Sequence, residues 1–315
     1  MRAIVTGGAG FIGSNLVDAL LVAGADVTVI DNLSTGREAN LHQAIEHGAR
    51  LRVIDILDPA DVNGVFESDR PDVVFHMAAQ IDVRKSLARP AWDAEINVQG
   101  TINVLEAARR ISLARLVNTS TGGAIYGDAD VIPTPETAAT RPEAAYGQSK
   151  LSAEGYCGLY ERLYGLSCVT LRYGNVYGPR QDPLGEAGVV AMFCGRLMQG
   201  ARPTVYGDGL QTRDYVFVGD VVEANLAAAA CGEVRGAVNV GTGRESTVLD
   251  LVAAMGPLAG AADFTPEFAP ARLGELDRSC LDVTRAAELL GWTASTELLD
   301  GLRRTMEATL PAPGP

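Results

Sequence analysis

Residues 2–13 read Arg-Ala-Ile-Val-Thr-Gly-Gly-Ala-Gly-Phe-Ile-Gly, a short apolar run that breaks into glycines at 7, 10 and 13 and continues as a helical pattern. A turn of this kind needs one glycine for its tight bend and a second where a pyrophosphate meets the main chain. The third sits where helix and strand pack with no side chain between them. The following helix offers unpaired N–H groups and a positive dipole end to phosphate. A second apolar run, Val27-Thr28-Val29-Ile30, ends in Asp31, 18 residues beyond Gly13. A carboxylate there accepts from both ribose hydroxyls and repels a 2′-phosphate, so the pattern predicts a site for NAD rather than NADP.

Strand and helix signals go on alternating through the first half. Strands are predicted at 2–6, 26–31, 50–54, 72–76 and 114–120, with Ser167–Arg172 extending the same sheet. Helices are predicted near 11–23, 59–68, 94–111 and 147–164. This alternation predicts an α/β fold: a Rossmann-type doubly wound parallel sheet with a smaller C-terminal α/β substrate-binding part. After Tyr173, Gly- and Pro-rich loops at 178–188, 200–211 and 256–274 separate short elements, among them the strand-like Tyr215–Val218. The expected division is 1–173 for the NAD-binding domain, with some later segments returning to it, then 174–310 mainly for substrate and 311–315 as a tail.

The net charge of −13 argues against nucleic acid as a partner, since phosphate binding needs a basic footprint. No run approaches the roughly 20 apolar residues that span a bilayer, and no basic leader precedes the first strand, so a cytoplasmic protein without membrane association is expected. The five cysteines show no Cys-x-x-Cys spacing and read as reduced thiols. The three histidines are scattered, and no metal site is expected.

Tyr146-Gly147-Gln148-Ser149-Lys150 places Tyr and Lys four apart on one helix face. An ammonium near a phenol favours phenolate, which predicts a lowered Tyr146 pKa and a general base. Thr121 ends a candidate strand 25 residues before Tyr146 and is the predicted third hydrogen-bonding group. Ser120 stands in reserve, because Gly122-Gly123 leaves the register of this loop open.

With these residues in hand, the chain resembles the extended short-chain dehydrogenase/reductases, and within them the UDP-glucose 4-epimerase family (NAD-dependent epimerase/dehydratase group). The resemblance rests on Gly7–Gly13, Asp31-Asn32, His76-Met77-Ala78-Ala79 and the Thr121/Tyr146/Lys150 set. It also rests on Arg172–Gln181, Gly207-Asp208-Gly209, Arg213-Asp214-Tyr215 and Arg272-Leu273-Gly274-Glu275. It implies interconversion of UDP-glucose and UDP-galactose by transient oxidation at C4 with tightly bound NAD. Tyr146 would take the 4-hydroxyl proton, Thr121 would hydrogen-bond that oxygen, and Lys150 would tune Tyr146.

By position, the resemblance further implies cofactor contacts at Gly7, Gly10, Phe11, Ile12, Asp31, Asn32, Ser34, Asp55, Ile56, Ala78, Ala79, Gln80, Asn97, Tyr146, Lys150 and Tyr173. Substrate contacts are implied at Thr121, Tyr146, Asn175, Tyr206, Arg213, Arg272 and Glu275, the arginines suiting a diphosphate through their bidentate fork. Asn97 has packing within its helix as the alternative. Asp55 and Ile56 are expected to face the adenine, with helix capping ahead of Pro59 as the alternative. A homodimer through the helices near 94–111 and 147–164 is also implied. Alternatives are a UDP-glucuronate or UDP-N-acetylglucosamine 4-epimerase and, from another class, a non-catalytic NAD-binding regulator. A 4,6-dehydratase is disfavoured, because such relatives place an Asp-Glu pair where Gly122-Gly123 stands.

Overall fold

The computed structural model describes residues 1–183, 188–260, 264–271 and 276–309. Seven parallel strands form its main sheet: β1 (Arg2–Thr6), β2 (Asp26–Asp31), β3 (Arg50–Val53), β4 (Val73–His76), β5 (Arg115–Thr121), β6 (Cys168–Tyr173) and β7 (Gly236–Val240). Their order is β7-β6-β5-β4-β1-β2-β3. The order reverses between β1 and β4, and a crevice at the carboxyl ends of such strands is where ligands sit in open α/β sheets.

Period-2 alternation explains why both faces are covered. In β1, Ile4 belongs to one apolar cluster and Val5 to the other, and both are fully buried. Helices α1 (Phe11–Val22) and α5 (Val218–Ala230) lie on the Val5 side. Helices α2 (Pro59–Asp69), α3 (Gly100–Arg110) and α4 (Ala145–Tyr164) pack on the Ile4 side. α2 starts at Asp58, whose carboxylate accepts from Ala60 N at 2.9 Å and Asp61 N at 3.2 Å, with Pro59 preset for the first turn. α4 ends at Gly165 in the left-handed region, φ 70°.

The predicted helix at 94–111 is resolved into three pieces: a short helix Pro90–Ala94, one wide turn Glu95–Gln99 with i→i+5 bonding, and α3. The wide turn turns Asn97 inward, where it is buried.

Beyond Tyr173 the structure is more regular than the Gly- and Pro-rich sequence suggests. β7 and α5 return to the main sheet. Helices Val189–Met198, Val248–Leu258 and Leu298–Thr309 surround a third apolar cluster that includes Tyr177, Phe193, Phe217, Leu251 and Leu302. Two of the expected loops contain strands, Thr204–Tyr206 and Glu267–Ala269, which pair with each other in parallel. Runs of three residues carry too little periodicity to be assigned without their partners.

Arg115 ties α5 to the sheet from within. Its buried guanidinium donates to the carbonyls of Ala228, Cys231 and Val234, satisfying acceptors at the end of the helix. All five cysteines are free thiols, and four of them are buried. Among the described residues, no helix is long and apolar enough to cross a membrane.

Candidate active site

The glycine turn joins β1 to α1 at the point where the sheet order reverses. Gly7 has φ +69°, and a Cβ there would lie 2.6 Å from Ala78 N, so the turn is pressed against the loop after β4. At Gly13, a Cβ would run into the Gly7 carbonyl. Gly10 differs: a Cβ there would meet only Gly7 O, at 3.2 Å. No side chain caps α1, and its first turn holds no acid. The N–H groups of Phe11 and Ile12 find no acceptor among the described residues. An open glycine surface beside a bare helix start fits the pyrophosphate of a dinucleotide.

Asp31, buried at the end of β2, accepts from Ala9 N at 2.9 Å and Leu33 N at 2.8 Å. Gly36 backs onto it so closely that a Cβ would lie 2.8 Å from both carboxylate oxygens. Asn32 donates to Asp55 at 2.9 Å and turns back to accept from Ser34 N at 3.0 Å. Asp55 does not cap α2, which Asp58 does; it accepts from Leu57 N and Asn32, linking the ends of β2 and β3. The Ile56 side chain is in the core against Gly100, and its carbonyl accepts from Asn103 at 2.9 Å.

The loop after β4 is held from beneath by His76. Thr101 Oγ1 donates to Asn97 O at 2.6 Å, so it accepts from His76 Nε2 at 3.0 Å. That leaves His76 Nδ1 to accept from Thr6 Oγ1 at 2.7 Å, which in turn accepts from Ala78 N at 3.2 Å. Burial pushes the imidazole down to about 3, so it stays neutral. Asn97 bonds Gln80 in both directions and also donates to Ser149 Oγ at 3.0 Å. Its amide hydrogens are engaged by the protein.

Thr121 and Tyr146 meet at the end of β5. Thr121 is the hydroxyl set against the phenol, whose pKa it draws down, while Ser120 is buried with its hydroxyl unpartnered. Ser86 Oγ accepts from Tyr146 N at 3.0 Å and orients the first turn of α4. Lys150 follows one turn later on the same face. One electrostatic expectation is corrected. Burial pushes the Tyr146 phenol up to about 12, with Thr121 drawing it down and Asp93 adding to the rise. Burial likewise depresses Lys150 to about 8, against the pull of Glu154, Cys157 and Asp93. Desolvation is the largest cause at both groups.

Tyr173 lies beside Thr121 in the β5–β6 pairing, but it is buried and its hydroxyl bonds Asn225 and Thr119. Asn175 reaches the catalytic end: a Cβ at Gly123 would sit 3.4 Å from Asn175 Oδ1 and 4.0 Å from Thr121 Oγ1. Gly123 thus leaves room between them. Tyr206 ends its short strand half-buried, and Arg213 donates to the Thr212 carbonyl at 2.8 Å. Arg272 and Glu275 lie outside the described residues. Tyr177 is core, edge-on to Phe217. His76, Gln80 and Asn97 were singled out in the sequence, but the hydrogen-bond networks that join them to Thr6, Thr101, Asp93 and Ser149 were not.

A glycine turn open to pyrophosphate, an acid at the end of β2 and a Thr/Tyr/Lys set at the end of β5 define a Rossmann-fold enzyme that works on a dinucleotide. The model of the NAD dependent epimerase/dehydratase family matches residues 3–241, and the chain belongs to that family. It is 46% identical to a UDP-glucose 4-epimerase of Mycolicibacterium smegmatis, over 98% of each chain. Among solved structures it resembles the UDP-glucose 4-epimerase of Thermotoga maritima with UDP-glucose (44% identity, TM-score 0.92, 98% of both chains). It also resembles the Thermus thermophilus UDP-glucose 4-epimerase in complex with NAD (42% identity, TM-score 0.90, 98% of this chain and 99% of the other).

Proposed function

We propose that this protein interconverts UDP-glucose and UDP-galactose by transient oxidation at C4 of the sugar with tightly bound NAD. The observation that carries the reading is the placement of Thr121 against the Tyr146 phenol, one helical turn from Lys150, in a fold whose glycine turn is open to pyrophosphate. Relatives named for this activity align over nearly the whole length. When bound, NAD supplies the two-electron acceptor and donor, and the Gly7–Gly10 turn, the N–H groups of Phe11 and Ile12, and Asp31 would hold it.

Tyr146, as phenolate, takes the proton of the 4-hydroxyl, and Thr121 steadies that oxygen by hydrogen bonding. A phenol this deeply desolvated ionises only beside positive charge, and Lys150 is the chain's own source of it. Inversion at C4 requires the keto sugar to present its other face before hydride returns, and Gly123 keeps any side chain out of the gap between Asn175 and Thr121. Glycines at 122 and 123 supply no acid or base for dehydration across C5–C6.

In this reading residues 1–173 chiefly bind NAD and residues 174–310 chiefly bind the nucleotide sugar, with Arg213 on the diphosphate. Exposed Tyr156, Leu163 and Tyr164 on α4 offer an apolar face for a homodimer, and five free thiols suit the cytoplasm. Proton NMR of UDP-galactose incubated with the protein should show UDP-glucose appearing. Its absence under saturating NAD would overturn the assignment.

A further inference from the structure

Asp93, from the short helix Pro90–Ala94, is wholly buried beside the catalytic pair and has no part in the steps above. Its Oδ1 accepts from Gln80 Nε2 at 2.6 Å and Asn97 Nδ2 at 3.3 Å, and its Oδ2 has no partner among the described residues. A half-satisfied buried carboxylate is unfavourable for folding alone.

Its hydrogen bonds lead to the site. Asn97 donates to Ser149 Oγ at 3.0 Å, and Ser149 donates to the Tyr146 carbonyl at 3.0 Å. Gln80 directly follows Ala78-Ala79, against which the glycine turn packs. Its charge leads to the site as well. Two acids act on Lys150, Glu154 and Asp93. Glu154 is committed to the buried Arg172 guanidinium, accepting from Nη2 at 2.7 Å and from Nε at 3.1 Å. Asp93 makes no ion pair among the described residues.

We propose that Asp93 is a positioning residue for the epimerase reaction: through Gln80 and Asn97 it locks the cofactor-facing loop to the first turn of α4, and its charge is the unpaired anion set against Lys150. This rests on the functional reading above. Tyr146 and Lys150 answer that charge in the same direction, since an anion disfavours the phenolate and favours the ammonium. The other titratable groups around them are otherwise engaged. His76 is neutral, Glu154 is paired with Arg172, the Cys157 thiol is kept protonated by its bond with Cys168 and by burial, and Asp82 is paired with Lys85 at 3.2 Å.

Asp93→Asn removes the charge at nearly constant volume. Both limbs of the kcat/KM–pH profile should slide to lower pH by about one unit, Tyr146 ionising earlier and Lys150 losing its proton earlier. The ultraviolet tyrosinate titration reads the same change without turnover. The difference between Asp93→Asn and Asp93→Asn/Tyr146→Phe isolates Tyr146, for comparison with the wild type and Tyr146→Phe. A folded Asp93→Asn protein with unmoved limbs and unmoved titration overturns the proposal, and Asp93→Thr carries the same expectation should the Asn variant fail to fold. A shifted titration in a protein that does not epimerise UDP-galactose would sink the epimerase reading while leaving Asp93 set against Tyr146.

Discussion

The side-chain amide of Asn97 and the backbone of Gln80 bond each other in both directions, Oδ1 accepting from the N–H at 2.8 Å and Nδ2 donating to the carbonyl at 3.0 Å. The amide acts as a peptide strand would, pairing an irregular loop that has no sheet neighbour. It gives the loop after β4 a defined height above the glycine turn.

Asn97→Leu strands the Gln80 N–H and carbonyl in a buried setting. The expected loss is about 2–4 kcal/mol of folding stability, read as a lower denaturant midpoint with an unchanged slope. A loss below about 0.5 kcal/mol would show that water replaces the pair.

The two glycines of the turn should separate. Gly7→Ala forces a Cβ onto a left-handed backbone and into Ala78 N, so it destabilises the fold by at least about 1–2 kcal/mol. Gly10→Ala meets only Gly7 O at 3.2 Å and should fold normally while binding NAD more weakly, measured by calorimetric titration. Equal NAD affinity in a folded Gly10→Ala protein would remove pyrophosphate from that surface.

Tyr146→Phe keeps the ring and loses the proton acceptor. It should retain NAD and the thermal midpoint yet lose about 10²–10⁴-fold in turnover. Wild-type rates would dismiss Tyr146 as the base.

Lys150 sets a pH dependence with a definite sign. Its folded pKa of about 8 lies below the ordinary 10.5, so the folded state sheds the proton first. Below pH 8 the buried ammonium costs stability, and that cost disappears as pH rises from about 8 to 10.5. In nucleotide-free protein, Lys150→Met should therefore be more stable than the parent at pH 7, on the order of 2–3 kcal/mol, with the gap closing toward pH 10.5. Parallel stability curves for the two proteins would contradict the burial argument.

Much of the main sheet was legible in the chain because most of its strands are apolar on both faces, and because α2 begins at a capping Asp58 and α4 stops at Gly165. Ile4-Val5, Val29-Ile30 and Val73–Phe75 read as strands before any partner is known. The later helices were not legible. Val218–Ala230 mixes Gly219 and paired valines with an alanine run, and its end is held by Arg115, about a hundred residues earlier in the chain. The packing of the Ile56 side chain against Gly100, 44 residues later, was likewise invisible in the sequence.

Spacing along the chain determined the dinucleotide turn, the acid at the end of β2 and the Tyr146/Lys150 pair, because those relations span one turn or one strand–helix unit and follow from local geometry. The tertiary structure decided that Thr121 rather than Ser120 meets the phenol, that Asn97 serves the loop, and that Tyr146 is held up rather than drawn down in its pKa. Each of these depends on which residues far apart in sequence exclude water from one another, and desolvation belongs to the packed molecule, not to any stretch of chain.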